Sequence, residues 1–321
     1  MSDPEAGPSD PTSAEVFRPR PPTGEQVRIR HGDSEAVTVA VAAGLRSCSL
    51  GGRTVVDGFG EDERPSGGRG QTLVPWPNRV AGGRYTFDGV EQQLPLTEPG
   101  KGNASHGLAR WIEWRVVERA DDAVTWEYVV PPQPGWPTSL LVRVTYGLDA
   151  EGLTVTTVAT NVGAAACPYG TGAHPYLTVG TQTVDDAVVG VPAGRWFETD
   201  DRGIPVGSHP VEGTAYDLRT PRQLGETVLD TPYGDLDRDD DGRWRVRMAA
   251  PGDDQAVVLW ADEAYGYAQL FTGDTLSSGE RRRGLAAEPM TCPPNAFVTG
   301  EGVVRLEPGA THTARWGISR S

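Results

Sequence analysis

Leu141-Val142-Arg143-Val144-Thr145-Tyr146 and Leu153-Thr154-Val155-Thr156 flank Asp149-Ala150-Glu151-Gly152, and this stretch decides the fold class. Apolar and polar residues alternate on both sides of a short, Gly-containing turn. A period of two places one set of side chains on one face of an extended chain. Two such runs around a tight connection read as an antiparallel hairpin. The pattern recurs outward in both directions. Val27-Arg28-Ile29-Arg30, Ala36 to Val41, Trp111 to Val117 and Val124 to Val130 alternate on the N-terminal side, and residues 243–249, 255–260, 266–272, 303–306 and 313–318 follow on the C-terminal side. No segment of helical length carries a 3.6-residue apolar stripe. With Gly 41 and Pro 27 in 321 residues, turns are frequent and long helices are disfavoured. The expectation is an all-β protein, a large antiparallel β-sandwich without sequence repeats.

The length fits one large β domain over 27–321. Residues 1–26 are dense in Pro, Ser, Asp and Glu with no apolar period, and are expected to be a disordered tail. The formal net charge of -15 opposes binding to nucleic acid or anionic membranes. It favours a neutral or cationic small-molecule ligand. No apolar run approaches the ~20 residues of a membrane span, and the N-terminus lacks a signal-peptide layout. A cytoplasmic protein is expected. Cys48, Cys167 and Cys292 are odd in number and far apart, which reads as reduced, buried thiols rather than a zinc site. Asp237-Arg238-Asp239-Asp240-Asp241-Gly242 loosely resembles a calcium loop but lacks the closing Glu, so it reads as a solvated turn.

Chemistry concentrates at three positions. His106 opens into Gly107 after a run of small residues, His174 lies in Gly172-Ala173-His174-Pro175-Tyr176, and Glu288 follows the apolar run Gly284-Leu285-Ala286-Ala287. An imidazole titrates at ~6.5 and a carboxylate at ~4.3, so one can donate a proton while the other accepts. Pro175 disfavours helical backbone at His174 and so extends it, with Tyr176 as an aromatic neighbour. A Glu inside an apolar strand is costly unless it has partners. Pro75-Trp76-Pro77-Asn78-Arg79 is a stiff segment that ends in groups suited to sugar hydroxyls. Asp230 is less distinguished among its acidic neighbours. Trp260, Tyr265, Tyr267 and Phe271 offer aromatic surface to a sugar or to the core.

These pieces together resemble the aldose 1-epimerases, the galactose mutarotases. Leu73-Val74-Pro75-Trp76-Pro77-Asn78-Arg79-Val80 with Gly83, Phe87 and Gly89 is similar to that family's N-terminal signature. His106-Gly107 followed by Trp114, then His174-Pro175-Tyr176, resemble its two histidine motifs in order, and Leu229-Asp230 its substrate-binding aspartate. Gln269 to Gly273 and Leu285 to Phe297 resemble its C-terminal segments. The likeness spans roughly residues 27–320. It implies a galactose mutarotase-like supersandwich that interconverts the anomers of a free hexose, as a monomer or homodimer. It further implies Glu288 as base and His174 as acid, with His106 assisting. Arg79, Asp230, Asn78 and Tyr176 would hold the sugar. No metal or organic cofactor is implied, because no electrons move. Leu177 and Thr178 stand where better-studied members often have Phe and Asn, and Trp76 is also a variant, so the preferred sugar is left open. Two other readings remain open. One is a hexose 6-phosphate epimerase, with Arg281-Arg282-Arg283 as the phosphate ligands. The other is a noncatalytic sugar-binding protein on the same scaffold.

Overall fold

The alternating segments form a hairpin of two nine-residue strands, Leu140–Leu148 and Leu153–Asn161, in a computed structural model that describes residues 19–321. Tyr146 pairs with Val155 and Val144 with Thr157, and all four side chains are buried on one face. The turn is closed by Asp149, whose Oδ1 accepts from the N–H groups of Glu151 and Gly152 at 2.8 and 3.2 Å. Gly152 has φ 131°, and a Cβ there would stand 2.3 Å from the carbonyl oxygen of Ile318. That position requires glycine.

The hairpin lies within a nine-stranded sheet, with the C-terminal strand Thr311–Arg320 paired to Leu153–Asn161. An eight-stranded sheet runs through Pro205–Pro210, Ala193–Thr199, Asp230–Leu236, Tyr267–Phe271 and Leu285–Met290, then on to short strands at Gly172–Ala173, Tyr176–Leu177 and Thr72–Leu73. A four-stranded sheet covers Gln26–His31, Ser34–Val39, Gly44–Leu50 and Arg53–Thr54. Every paired strand is antiparallel among the described residues. The core joins these layers. Trp126 and Trp244 are fully buried within it, and two hydrogen bonds tie the long sheet to the N-terminal one: Trp126 Nε1 to Thr38 Oγ1 at 2.9 Å and Tyr146 OH to Ala43 O at 2.6 Å. Among the described residues the only helices are one turn of 3-10 at Val184–Asp186 and Ala296–Thr299. Among the described residues no helix is long and apolar enough to cross a membrane.

Two local expectations differ from the structure, and the charged turn and the cysteines match it. The strand expected from Trp111 begins at Arg115, because Ile112 N–H turns back to Ala109 O and leaves Trp111 half exposed. The tail expected over 1–26 lies outside the described residues up to 18. Its last residues pack on the domain: Thr23 is buried, Thr23 O and Glu25 O accept from Val41 and Ala40, and Gln26 starts a strand. Composition carries no sign of such backbone pairing. In the charged turn, Asp239 and Asp241 are taken by Arg245. All three cysteines are free and buried, and burial pushes each thiol up to about 12.

Candidate active site

The strand Leu285–Met290 is buried along its whole length and carries Glu288 at the centre of the eight-stranded sheet. On one side Met290 pairs with Gly172 and Ala286 with Tyr176, so the partner chain breaks between Ala173 and Tyr176. His174 and Pro175 occupy that break. Ala287 N–H donates to Pro175 O at 3.1 Å. Two residues further on, Pro289 faces the same interruption, where its missing N–H forfeits no ladder bond. On the other side Glu288 lies opposite Gln269.

His174 is 5% exposed, and its Nε2 lies 3.2 Å from Glu288 Oε1. Tyr176 stacks on the imidazole at 5.2 Å with the planes 10° apart. His106 meets it edge-on, 5.6 Å away at 70°. His106 is set by a reciprocal contact with Asn78. Its N–H donates to Asn78 O at 2.8 Å, and the Asn78 N–H donates to His106 Nδ1 at 3.2 Å. Both residues have left-handed backbone, φ 55° at Asn78 and 59° at His106. The following Gly107 sits where a Cβ would be 1.8 Å from Val74 O. Because Nδ1 accepts, neutral His106 carries its proton on Nε2.

Polar side chains continue the wall. Asn78 Nδ2 donates to Gln269 Oε1 at 3.3 Å, and Gln269 Nε2 donates to Asp230 Oδ1 at 2.6 Å. Arg79 grips Glu98 with two bonds of 2.8 and 3.2 Å, a geometry that fixes its planar fork. Arg110 is anchored by Gln71 Oε1 at 3.0 Å. Together with Lys101, Phe271 and Leu276 these groups line a cavity of about 350 Å³, within the usual range for small-molecule sites.

Burial dominates the electrostatics. It pushes Glu288 well above the usual carboxylate range, reinforced by the nearby Asp230. It pushes His174 down to about 3, helped by the charge of Arg110, and lowers His106 strongly as well. Proximity alone would make His174 and Glu288 an ion pair, whereas both shifts favour their uncharged forms. The desolvation cost of two buried charges decides this, so the sugar-free contact is one between uncharged partners. Burial also works against the charge of Arg79, but Glu98 outweighs it and raises its pKa. Glu288 Oε2 and His174 Nδ1 are buried and have no hydrogen-bond partner among the described residues.

The cavity gathers Glu288, His174, His106, Arg79, Asn78 and Asp230, all singled out in the sequence. Tyr176 is a correction. It lies behind His174, fully buried, with its hydroxyl donating to Gly67 O at 2.8 Å, so it supports the imidazole instead of meeting a ligand. Arg281, Arg282 and Arg283 do not line the cavity. Arg282 pairs with Asp185 and Asp274, Arg283 with Asp57, and Arg281 is largely exposed. Of the four aromatics only Phe271 reaches the cavity, since Trp260 lies under Arg243 in the other sheet. Gln269, Glu98 and Arg110 were not picked out individually. Gln269 sits in an apolar strand with an inward polar side chain, which is a usable signal, while Glu98 and Arg110 sit in loops with none.

The family profile described as aldose 1-epimerase matches residues 25–319. Among relatives, the protein named Uncharacterized protein YihR of Escherichia coli K12 is 34% identical over 291 residues, covering 90% of this chain and 91% of that one. Galactose mutarotase of Rattus norvegicus is 35% identical over 158 residues, 46% of this chain and 44% of that one. A solved GalM/aldose epimerase homologue from C. elegans superposes with a TM-score of 0.82 at 20% identity, over 92% of this chain and 98% of that one. The last likeness speaks to the fold alone.

Proposed function

The chain belongs to the aldose 1-epimerase family, and we propose that it interconverts the α and β anomers of a free aldohexose such as galactose or glucose. The observation that carries this reading is the buried His174–Glu288 contact of 3.2 Å in a cavity walled by sugar-binding side chains. Anomer exchange requires ring opening. Glu288 takes the proton of the anomeric hydroxyl while His174 protonates the ring oxygen. Rotation about C1–C2 presents the other carbonyl face, and the reverse transfers close the ring. Through this cycle the pair holds one mobile proton: on His174 it opens the ring, on Glu288 it closes it. His106, with Nε2–H as donor, hydrogen-bonds the sugar. Arg79, Asn78 and Asp230 orient hydroxyls, and Gln269 holds Asp230 and Asn78 in register. Such positioning and acid–base contributions are each worth about 10²–10⁴-fold.

This scheme fixes the pH dependence. Activity needs one proton on the pair. A second proton arrives only as pH falls well below the ordinary imidazole value of ~6.5, because His174 is depressed. The first is lost only as pH rises above the ordinary carboxylate range, because Glu288 is raised. Turnover plotted against pH is therefore expected to have its acid limb well below that imidazole value and its basic limb above the ordinary carboxylate range. A half-maximal point at the ordinary imidazole pKa contradicts the proton assignment.

The 6-phosphate reading loses the arginines it named, because Arg281, Arg282 and Arg283 do not line the cavity. The test is polarimetry over a panel of aldoses and their 6-phosphates with catalytic amounts of protein. Accelerated mutarotation of at least one free aldohexose, above that of its 6-phosphate, is expected. Binding without acceleration across the panel would leave only a sugar-binding protein.

A further inference from the structure

His174 is held by the segment 66–71, of which Gly67 and Gly68 also line the cavity. Gly70 N–H donates to His174 O at 2.9 Å, and His174 N–H donates to Gln71 O at 3.1 Å. Gly68, at φ 76°, comes so close that a Cβ would lie 2.6 Å from His174 Cδ2. Tyr176 covers one face of the imidazole and is pinned by its bond to Gly67 O. Behind Tyr176 lies Arg69, 2% exposed, with its guanidinium carbon 4.3 Å from the phenol ring centroid. The result is a stack of guanidinium, phenol and imidazole that ends at the carboxylate of Glu288.

Every nitrogen of the Arg69 fork is engaged. Nε donates to Asp57 O at 3.0 Å, Nη2 to Asp57 Oδ2 at 2.9 Å, and Nη1 to Ser66 Oγ at 2.8 Å and Glu280 Oε1 at 3.4 Å. Asp57 is taken from its other side by Arg283 at 2.6 Å. Arg69, Arg283, Asp57 and Glu280 thus form a neutral cluster. Its centre, Arg69 and Asp57, is buried; a buried ion pair contributes little net stability compared with apolar packing of the same volume, but it fixes geometry. A guanidinium held in one plane over an aromatic face defines where that ring sits.

We propose that Arg69, which touches no substrate, is a positioning residue that fixes the orientation of the His174 imidazole through Tyr176. This rests on the reading of His174 as the proton donor to the sugar ring oxygen. The groups in contact with His174 are Glu288, His106 and Tyr176, and the cations Arg110, Arg69 and Arg79 act on it from further away, Arg110 most strongly. Removing Arg69 withdraws one of three cations that oppose protonation of His174 and leaves Glu280 less compensated. Both changes raise the proton affinity of the imidazole.

The test compares Arg69→Met and Arg69→Lys with the wild type. Asp57 keeps Arg283 in both, and Arg69→Met/Asp57→Asn serves if Arg69→Met fails to fold. Turnover and KM are measured on the best aldohexose across pH, and the ring 15N shifts of His174 are measured in the sugar-free protein. Arg69→Met is expected to lower kcat at least about tenfold with KM within about threefold, since misplacing a reacting group by about 1 Å costs up to about 10²-fold. It is also expected to move the acid limb to higher pH and to average the His174 shifts. Arg69→Lys keeps the charge but not the fork, so its acid limb stays in place while kcat falls part of the way. Unchanged His174 shifts and acid limb in Arg69→Met overturn the proposal, whether kcat is normal or is lost together with KM and melting temperature. A wild type inactive on every sugar but showing the shift changes sinks the mutarotase reading and leaves the positioning role standing.

Discussion

Glu288→Gln is expected to cut anomer turnover by about 10²–10⁴-fold, the usual worth of a positioned proton acceptor, while sugar binding changes by no more than about threefold. The amide fills the same space on Leu285–Met290, beside His174 Nε2, which lies 3.2 Å from Glu288 Oε1. It cannot take up the anomeric proton. A loss of that size amounts to about 3–5 kcal/mol of transition-state stabilisation, well above the ~1 kcal/mol of an ordinary hydrogen bond. Loss of binding alone therefore cannot account for it. The measurements are kcat by polarimetry and binding by calorimetry with the same sugar. Near wild-type turnover in Glu288→Gln would falsify the assignment of the base.

His174→Asn is expected to lower turnover by about the same order and to weaken binding less, while His106→Asn raises KM as well as lowering kcat. The two histidines adjoin at 5.6 Å but are held for different tasks. His174 shares a contact with Glu288 and must release a proton to the ring oxygen, which an amide cannot do at an accessible pKa. His106 has Nδ1 occupied by the Asn78 N–H, so only its Nε2–H is free to meet a sugar. A contact made to substrate and transition state alike appears in KM, and one made only in the transition state appears in kcat. Normal turnover in His174→Asn with failure in His106→Asn exchanges their roles. Full turnover in both removes the proposed acid.

The fold was legible wherever side chains repeat. Leu140–Leu148 and Leu153–Asn161 alternate because one face meets the core, and a period of two survives in one dimension. Glu288 and His174 were legible because a carboxylate in an apolar strand and a histidine locked before proline are unusual in the chain itself. What stayed hidden depends on distant partners or on loop backbone. The left-handed turns at Asn78 and His106 that set the His106 tautomer have no periodicity to betray them. Adjacency to His174 makes Tyr176 read as a ligand contact in one dimension, yet its ring packs against that imidazole and Arg69. The three arginines at 281–283 look like an anion site in one dimension. Asp57, Asp185 and Asp274 pair with them instead, the first two from far along the chain.

The central claim is that this cavity exchanges the anomers of a free sugar by paired proton transfer. Exchange NMR tests it most directly. The α and β H1 signals of an equilibrated aldohexose are followed with sub-stoichiometric protein, wild type against Glu288→Gln. The account predicts that the wild type transfers magnetisation between the two H1 signals without altering their ratio or producing a new sugar, and that Glu288→Gln does not. Wild-type line broadening without exchange, or exchange that survives unchanged in Glu288→Gln, contradicts it.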